Sequence, residues 1–409
     1  MKTIVKCLKD IQQGNRIMKK RKEKADTSEP EKVKTDKIRM EIRKLLERIP
    51  DKRIDRCKKH NLADILLLCI IGMVCGQTDV ESIVFWAELE ESWLKKYLKL
   101  PHGIPSADTI LRVLRQIDSK RFAECLTSWV GGYFQQHRDG SIIAIDGKTV
   151  RKSDDGERKA IHLVSAWADE LRLVLGQVQT EEKSNEITAI PELLRALDVS
   201  GCIITIDAMG CQKEIAAQIV EGKGEYVLAL KGNHPQVYAE AVSLFEHHTL
   251  PPDAFSVTTD LSKDHGRIEK REAYLCTDLS WFADREKWSD LGGIGCIKSQ
   301  RTVGQNTSTE TRYYLTSLTD VDTFARSVRT HWGIENKLHW TLDVAYREDF
   351  AHVRKDHAPA NMAVIRKIAL NLLRLEPTEK LHNKKLSIAR KQLYASRNQD
   401  FLLNILAFL

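Results

Sequence analysis

The sequence predicts an α/β protein: an all-helical N-terminal part, then a mixed sheet that carries a β-rich insertion. Three features predict it. Residues 51–140 place apolar side chains at helical spacing. At Ser141 the pattern switches to apolar, β-branched runs separated by short polar turns. From Glu186 onward helical and strand-like segments alternate, as they do where parallel strands are joined by crossovers. The chain's 409 residues leave room for two or three domains of about 100–200 residues.

Residues 1–47 are rich in Lys and Glu and low in aromatics, and Ser28-Glu29-Pro30 breaks any early helix. They are expected to form a basic arm, disordered before a helix over roughly 35–48. Residues 48–140 are expected to form a helical domain with possible DNA contacts. Asn61 would cap a helix carrying Ile65, Leu68, Cys69 and Gly72. A second helix would carry Ile83, Phe85, Trp86 and Leu89, and a third Trp93, Leu94 and Tyr97. The turn Leu100–Ser106 then opens into a helix with Ile110, Leu111, Val113, Leu114 and Ile117 inward and Arg112 and Arg115 outward. That arrangement resembles a DNA-binding helix-turn-helix; a packed helical bundle explains it equally well.

Residues 141–375 are expected to form the second domain. Ile142–Val150, Ile161–Asp169 and Leu171–Thr180 read as a three-strand meander with a hairpin turn at Asp169-Glu170. Helix Glu186–Leu197, strand Cys202–Ile206, helix Gln212–Glu221 and strand Tyr226–Leu230 follow. The insertion, at about 250–318, contains short runs such as Phe255–Thr259, Arg271–Cys276, Gly295–Gln300 and Thr311–Leu315. A long helix over Val321–Leu342 and another over Asn361–Leu373 close the domain. Residues 376–409 read as a basic helical tail. There is no internal repeat with a period of 20–50 residues.

Charge is unevenly distributed. The net charge of +7 hides about +11 in residues 1–60, about +7 in residues 351–409 and about −11 between them. Basic flanks around an acidic centre suit a protein that grips a polyanion and holds cations in its core. The nine cysteines form no Cys-x-x-Cys pair, which excludes a zinc ribbon and suggests reduced thiols in the cytoplasm. The basic N-terminus lacks the apolar stretch of a secretory signal. Leu62–Cys75 is apolar apart from Asp64, but a span needs about 20 residues, so a buried helix is expected there.

Three carboxylates stand out. Asp146 ends the run Ile142–Ile145, Asp207 ends Ile203–Ile206, and Glu335 sits in the helix-like stretch His331–Asn336. Two acids at rigid strand tips and one on a later helix can converge on a hard divalent cation, which prefers oxygen ligands. Two such metals activate an attacking oxygen and stabilise a leaving one in phosphodiester chemistry. Lys148, Arg151 and Lys152 follow the first acid, Lys231 sits at the fifth strand tip, and Arg267 and Arg271 lie in the insertion. Together they could neutralise phosphates; singly, each reads as well as a surface cation. His331, Glu335 and His339 are spaced i, i+4, i+8, which admits a zinc or iron site. No His-Glu-x-x-His motif supports that alternative, so the histidines are expected to touch phosphate or fix Glu335. Trp332 and Trp340 are expected in the core.

Ile145-Asp146-Gly147-Lys148-Thr149, Lys183 to Pro191, Thr205 to Gln212, and Ala229 to Asn233 resemble segments of the H-repeat-associated transposases of bacterial insertion sequences. His331 to Trp340, with Leu342-Asp343-Val344 and Glu348-Asp349, is similar to that family's C-terminal signature. The resemblance covers about residues 48–375. It implies an RNase H-like catalytic domain, a helical associated domain, and a DDE triad at Asp146, Asp207 and Glu335. It also implies strand transfer dependent on Mg2+ (Mn2+ as substitute) on the element's terminal inverted repeats and target DNA. Related enzymes surround the Glu with Tyr-x2-Arg-x3-Glu-x6-Lys; here Val328, His331 and Leu342 hold those places. Asp343 and Glu348 are therefore reserve third ligands, and Lys337, Arg347, Arg354 or Lys355 could stand in for the Lys. At least a homodimer is expected, because two DNA ends must be joined. The expected setting is the bacterial cytoplasm, at the nucleoid. A disabled DNA-binding derivative and a plain metal-dependent nuclease are the alternatives.

Overall fold

The structure, a computed structural model, describes residues 42–180, 186–246, 250–264 and 266–407. Most of the expected arm, along with Lys183 to Asn185 and His265, lies outside the described residues.

A short helical segment at 42–47 leads into α1 (Leu62–Val74), α2 (Val80–Leu89), a single turn at Glu91–Leu94, α3 (Ala107–Gln116) and α4 (Ser119–Phe134). Every residue of α1 is buried, as expected of a helix that is apolar all round, and Asn61 caps it by accepting the Asp64 N–H. Asp64 itself is paired with Arg43 at 2.9 Å. α2 carries Ile83, Phe85, Trp86 and Leu89 as expected, with Ile83 and Trp86 turned inward and Phe85 and Leu89 exposed. The helix-turn-helix expectation is not met. The element before α3 is one turn long, too short for the first helix of that motif. Among the described residues no helix is long and apolar enough to cross a membrane.

The sheet has nine strands: β1 (Ile142–Thr149), β2 (His162–Ala168), β3 (Leu173–Thr180), β4 (Ile203–Ile206), β5 (Glu225–Leu230), β6 (Phe255–Asp264), β7 (Arg267–Cys276), β8 (Gly293–Val303) and β9 (Asn306–Thr316). Their spatial order is β3-β2-β1-β4-β5-β9-β8-β7-β6. β1, β4 and β5 are parallel, and the meander β1-β2-β3 and the return strand β9 are antiparallel. Helices α5 (Glu186–Ala196), α6 (Lys213–Glu221) and α7 (Pro235–Glu246) accompany the crossovers. This is an RNase H-like mixed sheet preceded by a helical region.

The insertion is larger than its short apolar runs suggest. Its strands are 10 or 11 residues long and continue the central sheet through β5–β9. The outer halves are polar or exposed on both faces, so hydrophobic alternation marks only their inner ends.

The C-terminal part starts with α8 (Val321–His331), a π-helical segment (Ile334–His339) and α9 (Trp340–Ala345). Then α10 (Ala358–Leu375) runs buried between the sheet and the N-terminal helices. The tail contains α11 (Ile388–Ala395) and α12 (Gln399–Leu406), which pack into the same core. Its basic character is partly internal: Lys391 is buried and caps the end of α10 through Leu373 O at 2.9 Å.

Candidate active site

β1 is twice as long as β4, and this difference builds the site. The parallel ladder ends at Ile145 and Ile206. The next residues are Asp146 and Asp207, side by side where β4 stops. Asp146 is therefore not at a strand tip; β1 continues past it, paired with β2 opposite Ser165. Asp207 turns the chain by accepting the Met209 N–H at 3.0 Å and the Gly210 N–H at 3.5 Å through Oδ1. Gly210 is required there, since a Cβ would collide with Ile206 and Ile190.

Glu335 enters from the helical side and is exposed. The π-helical turn that carries it is closed by a bond from Trp340 N–H to the Glu335 carbonyl. Such turns insert a residue into an α-helix and recur at functional sites. Two anchors hold the segment. His331 Nδ1 lies 2.9 Å from Thr205 Oγ1 on β4. Lys337 Nζ lies 2.6 Å from Asp169 Oδ2 in the β2–β3 turn.

Asp146, Asp207 and Glu335 line one cleft of about 350 Å3, with Lys231, Arg312 and His331 also on its walls. Burial, then the charges of Asp207, Glu335 and Glu186, push the Asp146 carboxyl up to about 7 despite a bond from Gly147 N–H. That is the electrostatics of clustered carboxylates. Oxygen donors crowded to mutual repulsion fit a hard divalent ion. The three are not yet at ligand spacing: among the described residues no three Asp, Glu, His or Cys side chains are close enough to hold a metal as they stand. The exposed Glu335 is the one with room to move.

Burial pushes His331 down to about 4 and His339 down to about 3, which favours the neutral imidazole of both near pH 7. His339 Nδ1 stands 3.6 Å from Asp146 Oδ2. That is beyond hydrogen-bond reach, so we read a dipolar contact and not an ion pair. Trp332 lines the cleft under the Arg312 guanidinium, 4.4 Å from its ring centre, and Trp340 is exposed; neither is core.

Lys148 departs furthest from expectation. Its ammonium is bound by Asp343 at 2.7 Å, Asp349 at 2.9 Å and Glu348 at 3.1 Å. Its three N–H groups are used, leaving none for a phosphate. The same contacts occupy Asp343 and Glu348, the reserve ligands. Arg267 begins β7 at its outer end and Arg271 lies midway along it, and both pair with Glu269. Arg151, Lys152, Arg354 and Lys355 gather beyond the other end of β1, with Arg354 Nε 3.2 Å from the Lys152 carbonyl. Of the sequence-predicted cations and histidines, the cleft holds Lys231 and His331.

Sequence reasoning missed Arg312 and the buried pair His162–Glu186. His162 Nε2 lies 2.6 Å from Glu186 Oε1, across Gly147, where any Cβ would strike both. The signals were present: Arg312 opens the apolar end of β9, and Glu186 follows Ser184-Asn185 within a conspicuous motif.

An RNase H-like sheet with acids at the β1–β4 junction defines a class of nucleic-acid-processing folds. Within it, residues 137–372 match the family described as Transposase DDE domain, and residues 43–130 match the family described as DDE_Tnp_1-associated. The chain belongs to the DDE transposase family. It is 43% identical to "Putative transposase YncI" of Escherichia coli O157:H7, over 82% of this chain and 88% of that one. It is 38% identical to "H repeat-associated putative transposase YhhI" of E. coli strain K12, over 90% of this chain and 99% of that one.

Proposed function

We propose that the protein cuts the ends of its own insertion sequence and joins them to target DNA. The observation that carries this is the convergence of Asp146, Asp207 and Glu335 on one cleft in a chain of this family. Asp146, Asp207 and Glu335 would hold Mg2+ or Mn2+, which supplies Lewis acidity at the reacting phosphodiester. Lys231 and Arg312 on the cleft wall neutralise the DNA phosphate. His331 and His339, kept neutral by burial, orient the segment bearing Glu335 and the Asp146 carboxylate. In cutting, a water oxygen attacks phosphorus and the P–O3′ bond breaks, releasing a 3′-hydroxyl. In joining, that hydroxyl oxygen attacks a target phosphorus and displaces the target's own 3′ oxygen. Joining two ends together supports a dimer or larger assembly.

The test is a cleavage and joining assay on DNA bearing the element's ends, with Mg2+ or Mn2+, comparing wild type with Glu335→Gln. Metal-dependent joining should fall to background in the variant while DNA binding persists. Joining that survives the substitution removes Glu335 from the site. Hydrolysis without joined products identifies a nuclease, and end binding without cleavage a disabled transposase.

A further inference from the structure

A second cleft, of about 490 Å3, lies between the N-terminal helices and the segment that follows α9. Its walls carry Arg115 from α3, Arg347, Arg354 and Lys355 from that segment, and Arg366 from α10. Two acids, Asp79 and Glu81, also line it. Asp79 caps α2 through the Ser82 N–H at 2.8 Å and its charge also acts on Arg366, and Glu81 is exposed. Positive charge prevails because five cations face these two acids.

Arg366 is 1% exposed, yet its Nε and Nη2 have no hydrogen-bond partner, and its Nη1 stands 3.8 Å from Glu348 Oε1. A buried guanidinium with two open donors is costly unless an acceptor arrives. A phosphate offers two anionic oxygens that match this fork. At the rim, Phe350 is 55% exposed, with Lys152 5.0 Å and Arg347 5.6 Å from its ring centre. Exposed aromatics interleaved with cations suit nucleic acid.

We propose that this cleft is a second DNA-backbone site, separate from the catalytic cleft, which grips the same duplex farther from its cut end. The proposal rests on the DNA-processing reading above. β1 links the two sites: from Asp146 to Lys152 the chain reaches at most roughly 20 Å at about 3.3 Å per residue. At about 3.4 Å per nucleotide along one strand, that reach brings the Lys152 rim within roughly six nucleotides of the catalytic acids. Because Arg115 belongs to the N-terminal helices and the others to the C-terminal part, both regions would clamp the DNA together.

The test is fluorescence anisotropy of the full chain with a labelled duplex over a range of NaCl concentrations. The variants are Arg354→Ala with Lys355→Ala, and Arg115→Glu. All three side chains lie at or near the surface, and thermal melting checks that folding is intact. The double variant should weaken binding and lower the slope of log K against log salt by about two. Arg115→Glu should weaken it as well. Lys231→Ala, in the catalytic cleft, should add its own loss independently. Wild-type affinity and slope in both variants overturn the second site while leaving the DNA reading intact. A wild-type chain that ignores the duplex overturns both.

Discussion

Asp146 keeps its proton to about pH 7 because burial and the charges of Asp207, Glu335 and Glu186 all oppose its ionisation. The consequence for stability has a definite sign. The folded value exceeds the ordinary 3.8, so the group's contribution is full below about 3.8 and is lost as pH rises through about 7. A divalent cation displaces the proton and relieves the repulsion. Mg2+ should therefore raise Tm more at about pH 8 than at about pH 6. Asp146→Asn should abolish both the alkaline loss and the metal response; an equal shift at both pH values would count against a metal held by Asp146. Lys148 presents the opposite balance. Burial works against its charge, but Glu348, Asp343 and Asp349 outweigh it and pull its pKa up. Lys148→Met takes away the hydrogen-bond partner of the Glu348 carboxylate, which is 1% exposed and otherwise faces only Arg366 at 3.8 Å and Lys367 among nearby cations, and should cost roughly 3–5 kcal/mol in denaturant unfolding. A simple phosphate-contact role for Lys148 would leave stability unchanged. Asp146 and Asp207 were legible because each ends an isoleucine-rich run. The fate of Lys148 was not, because its three partners lie some 200 positions away along the chain.

The element that places Glu335 is fixed at its back and free at its front. Gly333 packs so closely on Asp169 that a Cβ would collide with the carboxylate. That carboxylate also accepts Trp167 Nε1–H at 2.9 Å and binds Lys337. Gly333→Ala should push the π-helical segment off the β2–β3 turn and lower strand joining far more than it lowers Tm. Asp169→Ala should do the same through the loss of Lys337. A double-mutant cycle between Asp169 and Lys337 read in kcat checks this: additive effects would mean that the anchor does not position Glu335. Helical periodicity announced a helix from Val321 but not its π-helical widening, because one inserted residue leaves the local apolar pattern almost unchanged. The i, i+4, i+8 spacing of His331, Glu335 and His339 was legible, yet His331, before the widened turn, faces Thr205 and His339, at its end, faces Asp146. Core strands were read to within a few residues because both faces are buried; the outer insertion strands lack that signal.

At the scale of the whole chain, α10 is the shared wall between the helical region and the sheet. Asn361 on α10 donates to the carbonyls of Leu114 at 2.7 Å and Ile117 at 2.9 Å, at the end of α3. One turn after Lys367, which reaches Gln177 of β3 at 2.6 Å, Asn371 exchanges two bonds with the backbone of Val174. From the tail, Gln392 reaches back to the Met73 carbonyl of α1 at 3.2 Å. Two regions that match separate families therefore share one apolar core. Nothing in either region's own pattern reveals this, since α10 reads as one more amphipathic helix until its polar residues find their partners. The expected consequence is cooperative unfolding: far-UV circular dichroism and tryptophan fluorescence should report a single coincident denaturant transition. Asn361→Ala leaves two buried carbonyls unpaired, at about 1–3 kcal/mol each, and should lower the midpoint of that one transition. If instead the helical region melted early while the sheet's signal stayed put, α10 would be a contact surface between independent domains and not their common core.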